Sequence, residues 1–347
     1  MKKTERIIGI DLIRIFACLL VILYHVPQFT AAGYEFHDVG SRILNSSLFY
    51  VGRCAVPLFF IISGYLLLPL KTNISSFFRK KLSRLVIPTV LWFIIINILG
   101  KSFDNPNNTF WIAKTPHFWY MYALFGVYLI LPILSYWYLG TTTKVKLVYL
   151  FLWAVSLFFI VINEHFPIRV EYSHQGMLYT TPYHSLLYIS GYMGYFLLGA
   201  IIRDSMSFII RTIKIMLPIA LCIYVLLIVI FRQLYGVSEP NSIAYCSPTT
   251  CLLASILFVL FLFSGERINR IFAKKCDGNF MIISRIITTV SNATFSIYFM
   301  HVLFLEYLPI ETIGGYSRMA IGIFVFTASF VVYKILSFLP FNKYLLG

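Results

Sequence analysis

Residues 7–29 read IIGIDLIRIFACLLVILYHVPQF. A helix rising 1.5 Å per residue needs about 20 apolar residues to cross the hydrocarbon core of a bilayer, and this run has that length and character. Asp11, Arg14 and His25 interrupt it. Ionisable groups in hydrocarbon cost roughly 2.5–3.5 kcal/mol even on the lenient insertion scale, so each is a candidate functional residue. Lys2, Lys3 and Arg6 precede the run, and Phe29-Thr30-Ala31 resembles a weak cleavage site. The charges at Asp11 and Arg14 and the length of the stretch nevertheless exclude a signal peptide. It is read as a retained first transmembrane helix.

Outward from it, further apolar runs fall at approximately 48–70, 82–100, 117–138, 147–162, 183–202, 215–231, 243–263, 286–305 and 319–338, most of them near the length a span needs. The expected fold is all-α, a polytopic membrane helix bundle of about ten transmembrane helices. Both termini are expected to be cytoplasmic, and residues 1–347 to form a single integral membrane domain. Composition agrees: 59% of residues are hydrophobic and only 12% charged, with mean hydropathy +0.83, against about 25% charged in a soluble domain.

The net charge of +15 follows from the same layout. With the N-terminus inside, Arg42, Arg53, Lys101, Lys114, Arg169, Arg232 and Arg318 lie outside or at the outer rim. Arg14 is within the first span, and all other Lys and Arg are cytoplasmic. This positive-inside asymmetry accounts for the basicity without a nucleic-acid partner. The cysteines, mostly within spans, form neither a disulfide framework nor a zinc pattern.

Asp11 and Arg14, three residues apart, can pair on one helical face. Arg14 and His25 are 11 residues apart, and 11 steps of 100° come within about 20° of three full turns, so they share a face. The separation along the axis is about 16 Å, which puts Arg14 in the inner leaflet and His25 in the outer. A structural ion pair and an interfacial histidine would explain these residues singly; the shared face and a second outer-leaflet histidine, His301, favour a functional stripe. All the histidines (His25, His37, His117, His165, His174, His184 and His301) map to the outer half or outer loops. Imidazole is suited to proton transfer near neutral pH, so chemistry is expected toward the outside. No two of them have metal-ligand spacing on one helix, and no metal is expected.

Other segments have two readings each. Pro57 and Ser63-Gly64 permit a kink or a close helix approach. Arg53, inside the outer end of the second span, either holds an anionic acceptor or snorkels. Arg79-Lys80-Lys81-Leu82-Ser83-Arg84 either sets topology against anionic lipid or clamps a phosphate. His117-Phe118-Trp119-Tyr120-Met121-Tyr122 is an aromatic interfacial belt that would also suit a sugar.

In this order the segments resemble the acyltransferase-3 family of integral membrane acyltransferases. The resemblance rests on Asp11-Leu12-Ile13-Arg14 continuing to Tyr24-His25, the family's Arg-x10-His pattern, and on Phe59-Phe60-Ile61-Ile62-Ser63-Gly64-Tyr65. It continues through Arg84-Leu85-Val86-Ile87-Pro88, His117-Phe118-Trp119-Tyr120 with Tyr128 and Pro132, Gly194-Tyr195-Phe196-Leu197-Leu198-Gly199, and Ser291 through His301. One departure is Lys81, where the family has the first arginine of an Arg-x-x-Arg pair; lysine keeps the charge and loses the bidentate fork.

The resemblance implies a standalone membrane O-acyltransferase, most often an O-acetyltransferase, in the bacterial cytoplasmic (inner) membrane. The donor would be cytoplasmic acetyl-CoA or another acyl-CoA. The acceptor would be a hydroxyl of an extracytoplasmic or lipid-linked cell-surface saccharide. On this expectation His25, with Arg14 and Asp11, carries the chemistry, and Arg14, Lys81, Arg84, Arg79 and Lys80 meet the coenzyme. His301, Trp119, Tyr122 and Arg53 position the acceptor, and membrane lipids are the remaining partner. The alternative is a multi-pass transporter of a small solute or lipid-linked saccharide.

Overall fold

A chain in hydrocarbon must satisfy every backbone N–H and C=O internally, and the apolar runs do so as helices. The computed structural model describes residues 6–29, 39–100, 116–165, 191–235, 245–273, 278–309 and 316–346, with no strand among them. The helices are α1 (Ile8–His25), α2 (Val39–Gly52), α3 (Ala55–Leu67), α4 (Ile74–Leu99), α5 (Trp119–Gly140), α6 (Thr143–His165), α7 (Tyr192–Asp204), α8 (Met206–Tyr235), α9 (Pro248–Ala273), α10 (Gly278–Tyr307), α11 (Ser317–Leu336) and the short α12 (Asn342–Leu345).

Among the described residues, 8 helical stretches are long and apolar enough to cross a membrane: α1, Tyr50–Leu67, α4, α5, Met206–Ile230, Pro248–Ile271, Met281–Tyr307 and α11. The protein is a multi-pass helical membrane protein. The expected span at 147–162 corresponds to α6. That at 183–202 corresponds in part to the 13-residue α7, residues 183–190 lying outside the described residues. Tyr50–Leu67 is not one unbroken helix: Arg53 and Cys54 form a turn between α2 and α3.

The chain divides into two compact units. In the first (residues 1–55, 72–129 and 260–347), α1 packs against α2, α10 and α11. Gly9 and Gly265 let α1 meet α9 backbone to backbone: a Cβ on Gly265 would lie 2.3 Å from the Gly9 nitrogen. Small residues permit this approach where hydrocarbon supplies no hydrophobic driving force between helices. α4 contains a π-helical turn at Phe78–Leu82, a local widening that occurs often at functional sites. Arg79, Lys80 and Lys81 on that turn, and Arg84 just after it, are all exposed.

In the second unit (residues 56–71 and 130–259), Gly64 on α3 faces the backbone of α7, where a Cβ would lie 1.7 Å from the Phe196 carbonyl oxygen. Of the two readings of Ser63-Gly64, the structure adopts the close approach. The Arg203 guanidinium donates to the Tyr65 and Leu68 carbonyls at the end of α3, and the Tyr138 hydroxyl donates to Asp204 at 2.6 Å. Within α8, Met206–Ile230 has no buried residue, as suits a helix surrounded by lipid.

Candidate active site

Two groups of ionisable residues stand at the two ends of the seam between α1 and α10. At the N-terminal end, Asp11 is only 2% exposed and fully engaged. Arg6, in the extended residues before α1, donates from Nε to Asp11 Oδ2 at 2.6 Å and from Nη2 to Oδ1 at 3.0 Å. The Ser291 hydroxyl of α10 donates to Oδ1 at 2.7 Å, and Arg6 also reaches Asn292 Oδ1 at 2.8 Å. Arg14 Nη1 stands 3.8 Å from Asp11 Oδ1, an ion pair without a hydrogen bond. The sequence reading paired Asp11 with Arg14 and placed Arg6 among the cytoplasmic charges. Arg6 is the closer partner because it precedes the helix, so its backbone is not bound to the i,i+3 spacing. Arg14, half-buried, makes no hydrogen bond among the described residues.

At the C-terminal end, His25 closes α1 and its Nδ1 lies 3.0 Å from Nε2 of His301 on α10. The ring planes are inclined by 23° with centroids 5.1 Å apart. His301 is 0% exposed, and its Nδ1 lies 2.6 Å from the Tyr298 carbonyl oxygen. A carbonyl oxygen only accepts, so His301 Nδ1 carries the proton and Nε2 has the lone pair. Nε2 therefore accepts from His25 Nδ1–H, and in the neutral pair His25 Nε2 is left with its lone pair. The His25 ring faces protein and is half-buried.

A third imidazole joins them. His117, in the 3-10 turn Pro116–Phe118 ahead of α5, is 3% exposed, its ring centroid 5.6 Å from that of His301. Its backbone carbonyl accepts from the Tyr298 hydroxyl, which ties the turn to α10. Burial pushes the His117 imidazole well below its ordinary pKa, and the neighbouring imidazoles of His301 and His25 act in the same direction. Its ring nitrogens are buried without a hydrogen-bond partner among the described residues.

The other candidates separate by position. Arg53 lies with its guanidinium 5.5 Å from the Tyr24 ring centre, beside His25. Trp119 is half-buried against Tyr120, whereas Tyr122 is 52% exposed and outside the cluster. Residues two apart on a helix are about 200° apart around its axis. Tyr120, 7% exposed and 5.5 Å from the Tyr298 ring, takes the inward place. Helical periodicity places Tyr120 and Tyr122 on different faces without saying which is inward, and nothing local in the sequence announced the Tyr298–His301–His25 chain. His37, His174 and His184 lie outside the described residues, as do the side-chain surroundings of His165.

Fold and site together define a multi-pass membrane protein with an imidazole cluster at one end of a helix seam and an ion-pair network at the other. The chain belongs to the acyltransferase-3 family: the family model described as Acyltransferase domain matches residues 7–341, nearly the whole chain, and includes every segment on which the resemblance rested. It is a membrane acyltransferase. No curated protein and no solved structure matches it.

Proposed function

We propose that the protein transfers an acyl group, acetyl in the simplest case, from cytoplasmic acyl-CoA to a hydroxyl of an extracytoplasmic or lipid-linked cell-surface saccharide, with His25 as general base. The setting proposed is the bacterial inner membrane. The observation that carries the reading is the hydrogen-bonded series Tyr298 carbonyl, His301, His25. It orients the His25 ring and leaves Nε2 as the basic atom, the arrangement in which a base is in turn held by a third group.

In the proposed step, His25 Nε2 takes the acceptor hydroxyl proton as the oxygen attacks the thioester carbonyl carbon. The carbonyl electron pair moves to oxygen, then returns to expel the coenzyme A thiolate. The thiolate recovers the proton from the imidazolium, giving ester and free thiol. His301 is here a positioning residue for His25, in place of the acceptor contact expected from sequence.

Arg14, whose guanidinium keeps donor capacity beyond its 3.8 Å ion pair, would meet the acyl donor along the seam. Lys81 and Arg84, with Arg79 and Lys80, would meet the coenzyme phosphates. All four are exposed and none forms an ion pair among the described residues, which leaves them available to anions. Arg53 and Trp119 are the acceptor-side candidates. The test is transfer of label from radiolabelled acetyl-CoA to endogenous saccharide in membrane vesicles of cells producing the chain. His25→Ala protein that inserts normally should transfer no label, and wild-type turnover by that variant would exclude the proposed base.

A further inference from the structure

His117 is left over by that scheme, and its surroundings make it costly. A neutral imidazole has one N–H donor and one acceptor nitrogen. Polar groups buried without a partner are rare in native proteins and ask for an explanation. Here a ring 3% exposed has neither nitrogen hydrogen-bonded among the described residues. Its place is held from both sides. Its own carbonyl accepts from Tyr298, and its ring packs edge-on against His301 at 5.6 Å and Phe118 at 4.8 Å. Tyr298 thus fixes both His117, through its hydroxyl, and His301, through its carbonyl. This imidazole, its nitrogens unbonded among the described residues, is built into the same frame as the paired ones.

We propose that His117 is a further catalytic residue, donating a ring N–H hydrogen bond to the carbonyl oxygen of the acyl group under transfer. This rests on the acyl-transfer reading above. When the acceptor oxygen attacks, the thioester C=O becomes a single bond and its oxygen gains a full negative charge. A preorganised N–H in a water-poor site stabilises that charge more than the ground-state carbonyl. The N–H stays on His117 throughout; the transferred proton goes to His25 and then to the departing thiolate, so the overall balance is unchanged. A neutral donor suits the cluster: an imidazolium at His117 would repel the imidazolium that His25 becomes at the same moment. His301 cannot take this part, since Nδ1 is committed to Tyr298 and Nε2 to His25.

The test has a kinetic and a spectroscopic arm. In the vesicle assay with acetyl-CoA, His117→Leu is expected to lower kcat by about a hundredfold, with KM for acetyl-CoA unchanged. His117→Gln, which restores a side-chain N–H, is expected to recover about tenfold of that. Equal loss in both variants would assign His117 to packing and overturn the proposal. So would a His117→Leu kcat near wild type beside an inactive His25→Ala; that result leaves the acyl-transfer reading standing, whereas an active His25→Ala removes the reading itself. The second arm needs no turnover. In the His25→Ala background, bound acetyl-CoA labelled with 13C at the carbonyl should show a lower C=O stretching frequency than in His25→Ala/His117→Leu. Identical frequencies in the two folded proteins would overturn the hydrogen bond.

Discussion

The two ends of the α1–α10 seam place ionisable groups in the same helix interface and treat them in opposite ways. At the Asp11 end the buried carboxylate is matched by Arg6, Ser291 and Arg14. At the His25 end, two imidazoles are joined by one hydrogen bond and a third is paired with nothing described. A buried charge needs its partners, and removing one of them leaves the other uncompensated. Imidazoles can be buried neutral, and their unused lone pairs and N–H groups are what a reaction needs. Under the proposed function, the satisfied carboxylate would serve structure and the open imidazoles the reaction, with Arg14 at the Asp11 end keeping donors for the acyl group.

Substitutions can break that division. The largest effect expected is at His25, where Ala should reduce acyl transfer by about 10³-fold while the melting temperature in detergent stays near wild type. His301→Leu should cost about 10²-fold in kcat, because the His25 ring loses the acceptor that sets its tautomer. If His301→Leu left kcat intact, the positioning role would fail.

The opposite end should respond in stability. Asp11→Ala is expected to destabilise by about 3 kcal/mol, the low end for a broken buried pair because Arg6 can turn to water. A double-mutant cycle with Arg6→Ala should show strong coupling by thermal unfolding. Additive effects would mean that the pair is not where the energy lies.

The pH dependence sharpens the comparison. His117 has a folded-state pKa below its unfolded value of 6.5, so the unfolded chain binds more protons in acid. Its contribution is fully present above about pH 6.5 and falls as pH drops below it, by at most about 1.4 kcal/mol per unit, until the folded-state pKa is reached. Wild type should therefore lose stability between pH 6.5 and 5 faster than His117→Leu, with parallel melting curves counting against a buried neutral imidazole. The smallest effect is expected at the exposed cations. Lys81→Gln or Arg84→Gln should raise KM for acetyl-CoA about two- to fivefold, less so at high salt.

Much of this was readable in advance, for identifiable reasons. A bilayer imposes length and hydropathy on each span, so the helices could be marked from composition. Arg14 and His25 share a face by arithmetic. Partners supplied by another helix are a different matter. Arg6 folds back on Asp11 from outside the helix, and Ser291 and His301 reach α1 from 280 and 276 residues away. Tyr122 and Tyr120 could be separated by periodicity only once the inward face of α5 was established.

The sequence by itself therefore determined a polytopic helical membrane protein, its family, and the stripe of ionisable residues on its first helix, because these depend on local composition and helical repeat. Only the tertiary structure decided which of those residues are satisfied and which are left open. Hydrogen bonds act over about 3 Å between atoms whose separation along the chain carries no information about their meeting.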